Sequence, residues 1–319
     1  MARRRLVFLG LALTALAAAA QEYPNRPIRV IQGFPPGGNA DVVARILGQE
    51  MAKGLGQPII VEARPGAGGN IAAEAVAKAP PDGYTLLLVT GGHAVAGAAY
   101  KALAYHSVDS FAMISTATFF PFVIATRADG KYASLPALLQ AAKAAPESVT
   151  FGAAGPGVTQ HLTGALLASN AGVKFLYVPY KGDAAAVTAL LGSQTDFIIA
   201  PATAVLPHVS SGTFKVLAAT GPTRWQAMPE VPTVSENGVP GFDVRSWIGL
   251  ATTAGTPRPI VERLNAEMLR ALQSPEVRAR LEQIGGEVRG STPEEMRERV
   301  AAEVQRWSKV IQDANITPQ

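Results

Sequence analysis

The sequence predicts an α/β fold large enough for two domains, and three observations predict it. Short β-branched or aromatic runs alternate with helical patterns, as they do where parallel strands are joined by crossover helices. Glycine-rich loops usually separate each run from the helix that follows. The 319 residues include no cysteine, so an exported chain of this size must bury its own core, and the length suffices for two domains.

The opening "MARRRLVFLGLALTALAAAAQE" carries Arg3, Arg4 and Arg5, an apolar stretch from Leu6 to Leu16, and small residues at Ala18 and Ala20. This pattern predicts a secretory signal peptide over residues 1–20. Its apolar core is too short to span a bilayer, and an exported, soluble mature chain is expected. The formal charge of +4 includes those arginines; without them 25 basic residues face 24 acidic ones. A near-neutral mature chain gives no reason to expect a nucleic-acid partner.

Strands are expected at "IRVIQ", "PIIVEA", "YTLLLVT", "SVTFG", "KFLYVPY", "DFIIA" and "FKVLAAT". Over residues 40–53 Val43, Leu47 and Met51 share one helical face, with Asp41, Arg45, Gln49 and Lys53 expected towards water. From "GTPRPIVERLN" onwards the chain is charged and helical, with Pro257, Ser274 and Thr292 near the helix starts.

Ligands of open α/β sheets bind outside the carboxyl ends of the strands. Four strand-to-helix connections are rich in glycine or small residues: "GFPPGGNAD" (33–41), "TGGHA" (90–94), "GAAGPGVTQH" (152–161) and "PYKGDAA" (179–185). Glycine lets a ligand approach the backbone, and the first turn of a helix offers unpaired N–H groups at the positive end of its dipole, so each loop is a candidate anion site. Pro35 and Pro36 would stiffen the first loop before any ligand arrives. The first three loops contain no Lys or Arg, so backbone donors, hydroxyls such as Thr90 and Thr159, and water are expected to hold the anion. Gly91 and His93 belong to the second loop; Lys181, Gly182 and Asp183 to the fourth, where Lys181 is the one cation and reads first as a solvated surface residue and second as a ligand contact.

The string "YPNRPIRVIQGFPPGGNADVVARILGQEMAKGLGQPIIVEARPGAGGNIAAEAVAKAPPDGYTLLLVT" resembles the start of the tripartite tricarboxylate transporter solute receptors, the Bug-type periplasmic binding proteins. The resemblance continues through "YKAL", "GAAGPGVTQHLTG", "YVPYKG", "LPH", "MPEVPTVSENGVPGF", "SW" and "AGTPRPIVERLN", across nearly all of the mature chain. It implies a fold like the type II periplasmic binding proteins, two α/β lobes joined by crossing strands near "TATFFPF" and "RSWIGL". Lobe 1 would hold residues 21–119 and, with the C-terminal helices, 247–319; lobe 2 would hold 120–246. The resemblance implies a carboxylate gripped by Phe34, Pro35, Pro36, Gly37, Gly38, Asn39 and Ala40 from one lobe. Ala154, Gly155, Pro156, Gly157, Val158, Thr159 and His161 would grip it from the other, with bridging waters. It also implies a monomer, no cofactor, and delivery of the solute to a transporter with one large and one small membrane subunit.

The chain departs from the family pattern where many relatives have an Asp-Asn pair: Ala200 and Pro201 stand there, which argues for a less polar solute, an aromatic or long-chain acid. Arg245 replaces a small residue, and is read as exposed or as a partner for a second carboxylate. Trp247 is read as a platform for an aromatic solute or as core. The four histidines show no metal-binding spacing; His93 and His161 lie beside the loops, while His106 and His208 read as surface or capping residues. "GAGGN" (66–70) fits no nucleotide-binding pattern. A secreted hydrolase acting on a small carboxylated substrate is the alternative, but neither GxSxG nor a Ser/His/Asp spacing supports it.

Overall fold

Strand direction determines where a ligand can sit in this chain. The computed structural model describes residues 23–318; the expected signal peptide lies outside the described residues. In order, the elements are β1 (Ile28–Gln32), α1 (Asn39–Leu55), β2 (Ile59–Ala63), a 3-10 turn (Ala67–Gly69), α2 (Asn70–Ala77), β3 (Thr85–Thr90), α3 (Gly91–Ala99) and β4 (Phe111–Arg127). Then follow α4 (Leu135–Ala144), β5 (Thr150–Ala153), α5 (Thr159–Ala171), β6 (Leu176–Pro179), α6 (Asp183–Leu191), β7 (Phe197–Pro201), α7 (Ala202–Ser210) and β8 (Phe214–Ala219). The chain closes with β9 (Arg245–Thr253), α8 (Arg258–Gln273), α9 (Pro275–Gln283), β10 (Glu287–Val288) and α10 (Pro293–Asp313).

The strands lie in the order β2-β1-β3-β9-β4-β7-β5-β6, with β8 and β10 also paired to β4. The first half of β4 pairs with β9, and its second half with β7 and β8. Because β3 is antiparallel to β9 and β9 antiparallel to β4, β1 and β3 run in the direction of β4, so their carboxyl ends point towards the second lobe. β7 is antiparallel to β4, and β5 and β6 run with β7, so their carboxyl ends point back at the first lobe. The carboxyl-end edges of the two strand groups therefore face each other. Thr90 at the end of β3 is level with Ile248 and so with Thr118 of β4, whereas Pro201 at the end of β7 pairs with Phe122. Four residues of β4, about 13 Å at a rise of about 3.3 Å each, separate the two edges. This is the two-lobed fold with an interlobe cleft and crossing strands.

Each central strand is buried on both faces, which is why it reads as a continuous apolar run. On β3, Leu86 and Leu88 pack into one cluster with α1, α8 and α9, while Leu87 and Val89 pack into a second with α2, α3 and the start of α10. On β7, Phe197 and Ile199 face one cluster of the second lobe, and Ile198 and Ala200 the other. Helix α10 opens with a capping box at Thr292 and Glu295. It does not stay with the first lobe: Met296 and Val300 join that lobe's core, but Trp307, Val310 and Ile311 pack into the second lobe's cluster. Among the described residues no helix is long and apolar enough to cross a membrane.

Candidate functional site

The first loop is built by two polar side chains as well as by its prolines. Gln32, fully buried at the end of β1, accepts the Phe34 N–H through Oε1 at 2.7 Å. Asp41 accepts the Gly37 N–H through Oδ2 at 3.1 Å, receives a long bond from Gln32 Nε2 at 3.4 Å, and pairs with Arg45 at 2.9 and 3.1 Å. The expectation that Asp41 faces water is therefore corrected: its carboxyl turns back over the helix start and is buried. The bond from Arg45, helped by the Gly37 N–H, holds it below the ordinary carboxylate range despite burial. Gly37 has φ +80, a left-handed turn that favours glycine.

The free donors are not those of the glycines. Gly38 N–H bonds to the Pro35 carbonyl at 3.3 Å, Gly37 N–H is taken by Asp41, and Gly38 as N-cap has no side chain with which to cap α1. The N–H groups of Asn39 and Ala40, in the first turn, have no acceptor among the described residues. Pro35, Pro36, Gly37 and Gly38 are exposed, while Phe34 and Asn39 are partly so.

A neighbouring loop, seen in the sequence only as a failed nucleotide motif, forms a wall of this site. Gly66, Ala67, Gly68 and Gly69 all have positive φ, and a Cβ on Gly33 would lie 2.4 Å from the Cα of Gly69. Between the loops lies a water-sized cavity of about 10 Å³, lined by Gly33, Phe34, Gly69, Asn70, Thr90 and His93. Glycines spaced this closely signal a close backbone approach, and that signal was present in "PGAGGN" (65–70).

Thr90 is the N-cap of α3 but makes no capping bond, which leaves the first turn from Gly91 uncapped. His93 turns away from the cleft edge: its Nε2 donates to the Ser107 carbonyl at 2.8 Å and its ring stacks on Tyr105. Burial pushes its pKa down to about 4, so it is neutral. Trp247 is fully buried behind Gly91, and its Nε1 donates to both oxygens of Glu303 at 2.9 Å. The ring faces α10, so the reading of Trp247 as a solute platform is corrected to core. Arg245 is only 18% exposed, pairs with Asp243 and Glu287, and covers Phe119.

Across the gap, Gly155 N–H bonds to the Ala153 carbonyl at 2.9 Å and Gly157 N–H to His161 Nδ1 at 3.1 Å. Both glycines have positive φ. With Nδ1 accepting, the neutral ring carries its proton on Nε2, and burial lowers the pKa to about 4. Val158 is the N-cap of α5 and offers no capping group, so the first-turn N–H groups of Thr159 and Gln160 have no acceptor among the described residues. Ala154 is half-buried and Pro156 exposed. Sequence reading missed Tyr177, which stacks on His161 with centroids 4.0 Å apart.

In the fourth loop Gly182 N–H returns to the Tyr180 carbonyl, Lys181 is exposed, and Gln160 Nε2 donates to Asp183 at 3.0 Å. Burial raises the Asp183 carboxyl to about 6. Ala200 is fully buried within β7 opposite Val123, so it presents no side chain to the cleft. His106 accepts two backbone N–H groups at a turn, and His208 leans on Phe214. The helices that start at the two facing edges, α1, α3, α5, α6 and α7, all lack side-chain caps, as do α2, α8 and α9, whereas α4 is capped by Ser134 and α10 by Thr292. The arrangement presents neutral N–H donors from both sides of one gap.

The chain is similar to known proteins along nearly its whole length. A family model described as "Tripartite tricarboxylate transporter family receptor" matches residues 43–316. Protein BugT of Bordetella pertussis is 36% identical over 309 residues, covering 96% of this chain and 95% of the relative. Among solved structures, MatC from Rhodopseudomonas palustris with bound malate shares 34% identity at a TM-score of 0.79, covering 91% of this chain and 100% of the other. A second R. palustris protein, with adipate, shares 32% identity at a TM-score of 0.84, covering 93% and 100%.

Proposed function

Since this chain belongs to the tripartite tricarboxylate transporter receptor family, whose members are Bug-type periplasmic solute-binding proteins and not enzymes, we propose that it captures one carboxylate-bearing small molecule between its lobes in the periplasm. The solute is then delivered to the large and small membrane subunits of a tripartite transporter, with the receptor acting as a monomer. Among the described residues, lobe 1 comprises 23–119 and 247–318 and lobe 2 120–246, with the end of α10 reaching across to pack against lobe 2.

One observation carries this reading: uncapped helix starts project from two facing sheet edges separated by about four residues of β4. Once the lobes close on it, an acid group in that gap accepts the N–H groups of Asn39 and Ala40 from one side and of Thr159 and Gln160 from the other. Only the closed form makes both sets of bonds at once, so the solute shifts the population towards closure and the membrane partner reads that shape. The malate- and adipate-bound relatives favour a dicarboxylic acid.

A thermal-shift screen against mono-, di-, tricarboxylic and aromatic acids tests this. A cognate acid at a hundred times its Kd stabilises by about 2.7 kcal/mol and raises Tm measurably. No shift across the panel, or turnover of a bound acid, overturns the proposal.

A further inference from the structure

Tyr177 carries a hydroxyl that is buried and has no hydrogen-bond partner among the described residues. Native proteins leave few such groups unsatisfied, and an exception points to an absent partner. The phenol sits on β6 two residues before the strand's carboxyl end, in register with Phe151; its oxygen lies close to the Gly155 N–H, but that N–H is donated to the Ala153 carbonyl at 2.9 Å, and the hydroxyl's own proton has no acceptor among the described residues. Its ring is held by the near-parallel stack on His161, at an interplanar angle of 17°, and His161 is itself fixed by the Gly157 N–H. The orphan hydroxyl is therefore rigidly placed under the Gly155–Gly157 turn, next to the open first turn of α5.

We propose that Tyr177 is a specificity-determining residue of lobe 2, donating its hydroxyl proton to the solute's acid group, directly or through one water. This rests on the receptor reading above. The neighbouring groups are donors too: the N–H groups of Thr159 and Gln160 and the Nε2–H of His161. A set of donors with no counter-charge fits an ionised carboxylate, which only accepts, better than the amide or alcohol of the same shape, which brings its own protons.

Tyr177→Phe removes one oxygen and keeps the ring stack. Wild type and variant are titrated calorimetrically with malate, adipate, benzoate and the matching amides, and the melting temperature of each solute-free protein is recorded. The expected result is a roughly tenfold or greater rise in Kd for the bound acid, a reduced preference for acid over amide, and a solute-free Tm equal to or above wild type. Wild-type binding with a Y177F Kd within twofold overturns this inference alone. A lower solute-free Tm in Y177F also overturns it, because the hydroxyl would then have an internal partner. A wild type that binds no acid of an extended panel overturns the receptor reading, and this inference with it.

Discussion

Asp41→Asn is the substitution that best separates a loop stiffened by prolines from one held by side chains. The Asp41 carboxylate receives four donors: Gly37 N–H and Arg45 Nε at Oδ2, and Gln32 Nε2 and a second Arg45 nitrogen at Oδ1. An amide has one accepting oxygen, so whichever way it turns its NH2 meets a donor. Arg45 is 57% exposed and its pair contributes little. The bond to the Gly37 N–H is charge-assisted and largely shielded, and its loss costs on the order of 2 kcal/mol. In a chain of this length that lowers Tm by roughly 4 °C. Release of the Gly37–Gly38 turn also removes preorganisation, and Kd for the cognate acid rises by roughly tenfold. Urea melts and calorimetric titration read the two effects. The folded carboxyl is held below its ordinary pKa, so its contribution is complete above about pH 4 and is lost as acid protonates it; the gap between D41N and wild type should narrow there. Unchanged stability and affinity in D41N would refute the argument and leave the prolines and the Gln32 bond to Phe34 N–H as the sources of stiffness.

Two glycines of the first loop should behave in opposite ways. Gly33→Ala forces a Cβ to 2.4 Å from the Gly69 Cα and should displace both loops, with several kcal/mol lost in urea melts; Gly37→Ala meets open space and should cost only about 1 kcal/mol of left-handed strain. Asp183→Asn should stabilise the protein at pH 7.5 but not at pH 4: burial raises the folded carboxyl to about 6, so wild type loses stability as pH rises from its ordinary value through 6, by on the order of 2–3 kcal/mol, and the amide does not. Parallel thermal melts at both values check the sign, and an equal effect at the two pH values would contradict it. With a donor set of neutral N–H groups, Kd should change less than about threefold between about 50 and about 500 mM NaCl, measured by titration; a steep loss would indicate a cation in the grip.

The central strand runs were legible because strands buried on both faces read as unbroken apolar segments, as at Leu86–Val89, and the edge strands β2 and β6 by their β-branched and aromatic content. The crossing near residues 116–122 was implied by the family resemblance alone, and its 17-residue strand was not read from the residues because Pro121 and the Ser and Thr residues break the pattern. Helical period placed Arg45, Gln49 and Lys53 correctly at the surface, yet failed for Asp41, whose orientation is set by a turn four residues earlier. Glycine-rich loops revealed where the backbone is approached, but not which N–H groups remain open. Gly37, Gly155 and Gly157 turn theirs to internal acceptors, and the adjacent helix starts are left with the unmet donors. Trp247 and His93 sat at the expected positions in the chain, but their polar atoms were claimed by Glu303 and by the Ser107 carbonyl, partners 56 and 14 residues away that no local pattern announces.

The most direct test is a crystal structure of this chain with the acid that raises its Tm most. The account predicts one carboxylate between the lobes, within about 3 Å of the Asn39 or Ala40 N–H on one side and the Thr159 or Gln160 N–H on the other. A carboxylate bound outside this gap, or held there only by Lys181 or an arginine, would contradict it.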